Sequence, residues 1–157
     1  MITTKINKIR FSKKPISIPA EYRISFKIAQ IILILKICSI GSKASLLKLH
    51  LLSWALKSEE NKKKLKIFIE NNFIGHFKTW GIEPALNRAL SYAVAENLCV
   101  IENGKYKLSK KGDSFYDIIL KNEDLQVEID YLKLLGKRKI TDKQIFEIAK
   151  MWELSND

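Results

Sequence analysis

At 157 residues, with 46% hydrophobic and 29% charged residues, the chain has enough apolar sequence to bury one domain's core, which excludes intrinsic disorder as its ground state. Three Pro and six Gly leave no room for a long flexible linker. Twenty-eight Lys and Arg against 17 Asp and Glu give a formal charge of +11, which points to a polyanion or an acidic protein surface as partner without choosing between them.

The first twenty residues, "MITTKINKIRFSKKPISIPA", hold five cations and no acid, and Pro15 and Pro19 forbid a continuous helix. This segment, 1–20, reads as a basic extended arm with a short strand near 8–12, either packed on the body or solvated. A helix follows over about 21–38, broken at Gly41. Within it "IILIL", residues 31–35, makes the helix apolar on every side. Such a helix is buried all round, centrally or against a second chain. Ile31, Leu33, Ile34 and Leu35 are therefore candidates for a partner interface, a homodimer contact included. Lys27, Gln30 and Lys36 interrupt the run, and it is shorter than the roughly twenty apolar residues of a membrane span, so no membrane partner is expected.

A second helix is predicted over about 43–56, with an apolar stripe at Leu46, Leu49, Leu52 and Leu56. His50 and Trp54 stand one turn apart on it, as a partner-binding anchor or as internal packing. Ser58 caps a third helix whose first turn carries Glu59 and Glu60, and whose tail turns Leu65, Ile67, Phe68 and Ile69 inward. Residues 73–81 form a connection with aromatic anchors Phe73, Phe77 and Trp80. Pro84 then opens a fourth helix with Leu86, Leu90, Ala93 and Val94 on its inner face.

That helix runs into "CVIENGKYKL", two short strands joined by Asn103-Gly104, the strongest short hairpin signal. Tyr106 and Leu108 are expected inside and Lys105 and Lys107 in solvent. Ser109 caps a fifth helix over about 110–120. Residues 122–157 form a C-terminal helical pair, over about 123–135 and from Thr141 to about Trp152. The pair is separated by the basic turn "GKRK", and the Thr141–Gln144 spacing forms a capping box.

The order helix, helix, helix, then a helix entering an Asn-Gly hairpin, then a closing helix, resembles a winged helix-turn-helix domain. "AVAENLCVIENGKYKLSKKGDSF" carries the likeness. The expected fold is mainly α (α+β): a winged helix over 21–121 with one β-hairpin wing, a basic N-terminal arm and extra C-terminal helices. A fold of this kind does not by itself confer function. Reading DNA would call on the helix before the wing, whose outward residues include Asn87, Arg88 and Ser91, beside the acids Glu83 and Glu96. Lys105, Lys107, Lys110 and Lys111 around the hairpin are candidate contacts to double-stranded DNA through its phosphates, or a solvated face that protects the hairpin edge.

A second likeness begins earlier. "RISFKIAQIILILKICSIGSKASLLKLHLLSWALKSEEN", residues 23–61, together with the wing, resembles the small middle components of bacterial ABC-three-component systems, the group that includes Lamassu-type anti-phage defence. Gly41 to Ser45 and Leu49 to Ala55 carry it. The resemblance implies a non-catalytic accessory subunit that sits with an SMC-like or ABC-type ATPase subunit and an effector subunit. The alternative is a DNA-binding transcriptional regulator that dimerises through the Ile-rich helix.

Enzymatic activity is not expected. His50, His76, Cys38 and Cys99 match no metal-ligand spacing, and there is no Gly-rich phosphate loop, nucleophile elbow or carboxylate pair, so catalytic, cofactor and metal residues are all read as none. The two cysteines lie far apart in apolar sequence as free thiols of a reducing compartment, and the start of the chain lacks a secretory pattern; a cytoplasmic location is expected.

Overall fold

The computed structural model describes residues 20–74 and 83–155, with side chains described for 24–74 and 83–150. The chain is mainly helical, with one small antiparallel sheet. In order, α1 (Ala20–Ile37) ends in a short 3-10 turn at Ile40–Ser42. Then come β1 (Lys43–Ala44), α2 (Leu46–Ala55), α3 (Glu59–Glu70) and α4 (Pro84–Ala95). The hairpin strands β2 (Cys99–Glu102) and β3 (Lys105–Leu108) precede α5 (Lys110–Leu120), α6 (Gln126–Leu135) and α7 (Asp142–Ser155). The predicted arm, with its short strand, lies outside the described residues, as do Phe77, Trp80 and His76 of the connection.

Helix starts follow local chemistry. The Ser45, Ser58 and Ser109 side chains accept the N–H of Lys48, Asn61 and Gly112, three of the orphan donors that open α2, α3 and α5. At the head of α7 the capping box is reciprocal: Thr141 N–H donates to Gln144 Oε1 at 2.9 Å and Gln144 N–H to Thr141 Oγ1 at 3.2 Å.

The hairpin forms where Asn-Gly placed it, with Asn103 at φ 52° and Gly104 at φ 77°, the two positive values that a two-residue turn between twisted strands requires. Its register pairs Glu102 with Lys105, Ile101 with Tyr106, Val100 with Lys107 and Cys99 with Leu108. Sequence periodicity places residues 43–45 in the second helix. They instead form β1 and a cap, and β1 pairs antiparallel with β3, Lys43 opposite Lys107 and Ala44 opposite Tyr106. The sheet order is β1-β3-β2, so among the described residues β2 pairs on one side only.

The core is centred on α1. Ile31, Ile32, Leu33, Ile34 and Leu35 have no exposed surface, because α2, α4, α5, α6 and β3 all pack against the helix. The expectation that Ile31, Leu33, Ile34 and Leu35 present a partner interface is thereby corrected: they are the interior of this chain. Burial of each such side chain contributes about 1.5 to 3 kcal/mol.

Two smaller expectations are also corrected. Helix α2 is buried from Lys48 to Leu56 on every face, not along one stripe, since α1, α3 and α7 surround it. Ile67 of α3 is 56% exposed, while Leu65 and Phe68 point inward and Phe68 meets Phe73 edge-on at 5.6 Å. The C-terminal pair packs on the body, α6 against α1 and α7 against α2.

Candidate interaction surfaces

Helix α4 begins without a side-chain cap. Pro84 occupies its first turn, and Glu83, at the cap position, makes no cap hydrogen bond with its carboxylate. The carboxylate instead forms ion pairs with Lys27 of α1 at 3.0 Å and with Lys57, just past α2, at 3.2 Å. Burial works against the charge on Glu83, but the two lysines together outweigh it and lower its pKa.

The backbone N–H of Glu83 donates to Nδ1 of His50 at 3.1 Å, and the other ring nitrogen, Nε2, lies 3.0 Å from Oδ1 of Asn87. An accepting Nδ1 fixes the tautomer, so Nε2 carries the proton and donates to Asn87. Burial pushes the His50 pKa down, against the opposing pull of Asn87 and Glu83, and favours this neutral ring. His50 is 2% exposed and Trp54 9%. Neither offers a surface to a partner, which corrects the anchor reading in favour of internal packing. His50 is the joint through which α2 sets the start of α4.

This arrangement removes much of what DNA reading would need. The Asn87 carboxamide is engaged with His50, and the Ser91 hydroxyl donates back to the Asn87 carbonyl at 3.1 Å. Arg88 is exposed and has no ion pair among the described residues. Around the hairpin, Lys105 pairs with Asp142 at 3.1 Å and Lys107 with Glu102 at 3.4 Å. Lys111 lies 3.9 Å from the Glu96 carboxylate and donates to its carbonyl at 2.8 Å. Lys110 alone of the four is without an ion pair among the described residues. Such part-exposed pairs are worth about 0 to 1 kcal/mol each, so they lower the local positive potential without fixing these lysines in place.

Asp142 is the residue that sequence reading missed. One carboxylate oxygen accepts the Ser45 N–H at 3.0 Å and the other meets Lys105, so the head of α7 is fastened across β1 and β3. Burial opposes its charge, but the Ser45 and Lys105 contacts prevail and its pKa is lowered. The capping box predicted where α7 starts; nothing local in the sequence said what its first turn would touch.

Buried titratable groups elsewhere are structural. Lys48, 3% exposed, donates to the Cys38 carbonyl at 2.5 Å, and burial lowers its pKa. Burial pushes the Cys38 thiol up to about 12, with Lys48 opposing, and the Cys99 thiol up to about 11; both stay protonated and weakly nucleophilic at neutral pH. Among the described residues no three His, Cys, Asp or Glu side chains gather as metal ligands, and no helix is long and apolar enough to cross a membrane.

The exposed apolar residues mark a different surface. On β2, Val100 is 43% and Ile101 60% exposed, on the outer strand of the sheet among the described residues. No protein-family model, curated protein or solved structure matches this chain.

Proposed function

We propose that the chain is a winged-helix accessory subunit, the middle component of a bacterial anti-phage defence complex, bridging an SMC-like ATPase and an effector. The likeness of residues 23–61 and of the wing to ABC-three-component middle components supplies the class of partner. The winged-helix reading is supported by the path of the chain: α4 leads straight into the β2–β3 hairpin, and β1 completes a three-stranded sheet in the order β1-β3-β2.

The observation that carries a protein-partner role is the contrast between α4 and β2. The helix that would enter a DNA groove has Glu83 and Asn87 tied to its own neighbours and one cation, Arg88, without an ion pair among the described residues, whereas β2 exposes Val100 and Ile101 on the side that no described strand pairs. Edges of this kind accept an added strand from another chain. The test is co-expression with the neighbouring genes, any SMC-like ATPase among them included. Co-purification in fixed stoichiometry is the expected result; recovery of free protein alone counts against the proposal.

A second reading, an operator-binding regulator, has in its favour the exposed Arg88 and Ser91 on α4 and the unpaired Lys110 at the base of the wing. It requires that Arg88→Ala weaken binding to one sequence far more than to unrelated duplexes.

A further inference from the structure

One group of cations lies apart from the helix before the hairpin, and among the described residues only Lys107 of the group has an ion pair, with Glu102. The register of the sheet places Lys43 of β1 directly opposite Lys107 of β3, so two like charges are cross-strand neighbours, an unfavourable pairing without an anion nearby. Continuing β1 by one residue brings Ser45 opposite Lys105, and Asp142 bonds both. Asp142 therefore neutralises that row and leaves the next, Lys43 with Lys107, to the diagonal Glu102 alone. Lys43 has no ion pair among the described residues.

The same contact delivers a second set of cations. Asp142 is preceded by the α6–α7 turn, in which Lys137, Arg138 and Lys139 are all exposed and without an ion pair among the described residues. Lys139 stands three positions before Asp142, a span of at most about 11 Å, so the end of the turn is held near the sheet by the Ser45–Asp142–Lys105 contact. A contact between stretches almost a hundred residues apart in sequence thus brings both sets of cations toward the Asp142 end of the sheet.

We propose that this surface, made by Lys43 and Lys107 on the sheet and by Lys137, Arg138 and Lys139 on the turn, binds the phosphate backbone of double-stranded nucleic acid. The chemistry selects among polyanions. An acidic protein partner would be anchored by aromatic or other large apolar side chains at the centre of the contact, and single strands would need aromatic faces for base stacking. On this face of the sheet the exposed apolar side chain among the described residues is Val100, with Tyr106 on the opposite face by strand alternation; beyond the sheet, Leu134 before the turn and Phe146 on α7, under Lys150, are exposed but separate from each other in sequence. Lysines and one arginine without stacking partners suit phosphates whose geometry the duplex already fixes. The surface is independent of the accessory-subunit reading, and failure to recover an ATPase complex leaves it untouched.

The experiment uses the full chain and a labelled duplex of about 25 base pairs of arbitrary sequence, with anisotropy read across about 50 to 300 mM salt. The variant Lys137→Ala/Arg138→Ala/Lys139→Ala is expected to lose at least about tenfold in affinity and to flatten the logarithmic salt slope by about 2 to 3, and Lys43→Ala to lose a few-fold. A control that removes the same charge elsewhere, Lys63→Ala/Lys66→Ala/Lys121→Ala, is expected to stay within about threefold of the parent. All these side chains are surface groups, and matching thermal melts verify folding. Equal losses in both triple variants would show that only net charge matters and overturn the site. So would unchanged binding in the turn variant, a preference for single strands, or no duplex binding by the parent at the lowest salt alongside capture of polyglutamate.

Discussion

The His50 joint yields a sharp prediction. His50→Ala removes the acceptor for the Glu83 N–H and the donor to Asn87 from a position that is 2% exposed. Leaving a semi-buried backbone donor without a partner costs about 1 to 3 kcal/mol. The lost imidazole packing adds on the order of 1 kcal/mol, for a total near 3. For a chain of this length that lowers the melting temperature by about 6 to 12 °C. His50→Asn is the informative companion, because a carboxamide oxygen can stand where Nδ1 stands and keep the Glu83 bond while losing Asn87; it should recover about half the loss.

The pH dependence follows from the same two bonds. The folded-state pKa of His50 is lowered below the ordinary 6.5, so the unfolded chain binds the proton first and stability falls as pH drops below about 6.5, by at most about 1.4 kcal/mol per unit. Protonated Nδ1 can no longer accept from Glu83. Urea denaturation of the parent and of His50→Asn at pH 7.5, 6.5 and 5.5 isolates this contribution: the gap between them should narrow as pH falls. A gap that is constant or widens, or an Ala variant that loses less than about 0.5 kcal/mol, would refute the assigned tautomer and the joint with it.

Two further outcomes are expected. A Cβ on Gly112 would sit 2.1 Å from the Leu98 carbonyl oxygen and 2.5 Å from Leu108 Cδ1, so Gly112→Ala must push α5 away from the hairpin; a loss of about 3 kcal/mol or more in chemical denaturation is expected, and a near-neutral result contradicts the packing. Ile34→Ala should lose about 2 to 5 kcal/mol with no change in association, whereas Ile101→Ser should leave stability within about 0.5 kcal/mol and reduce capture of the partner chain in the co-purification assay.

Local chemistry makes most of the elements legible in the amino-acid sequence. Asn103-Gly104 can take the positive φ pair that few dipeptides tolerate, the serines before α3 and α5 offer an acceptor where orphan N–H groups begin, and Thr141 and Gln144 satisfy each other. What could not be read was anything decided by a distant neighbour. The all-round apolar run of α1 is compatible with a core or an interface, and only the five elements packed around it decide. Lys43 and Ala44 look helical because Leu46 onward is helical; their strand pairing depends on β3, more than sixty residues later. Asn87 is available for recognition on the pattern of α4 alone, yet His50, on another helix, takes its oxygen.

The polar contacts also say where recognition has to be sought. A side chain that fixes an element's position cannot be diverted to a ligand without releasing that element. Glu83, His50 and Asn87 together hold the start of α4, and Asp142 holds α7 to the sheet, so recruiting any of them for binding would loosen the joint that positions it. Among the described residues, surfaces free to recognise something include those whose groups hold no other element: Arg88 on α4, Val100 and Ile101 on β2, and the cations of Lys43 and the α6–α7 turn. The apolar edge and the cationic row share the sheet but differ in chemistry, so an added strand and a phosphate backbone need not compete for the same atoms. Mutating each separately therefore separates a protein partner from a nucleic acid: Ile101→Ser should spare duplex binding, and the turn variant should spare partner capture.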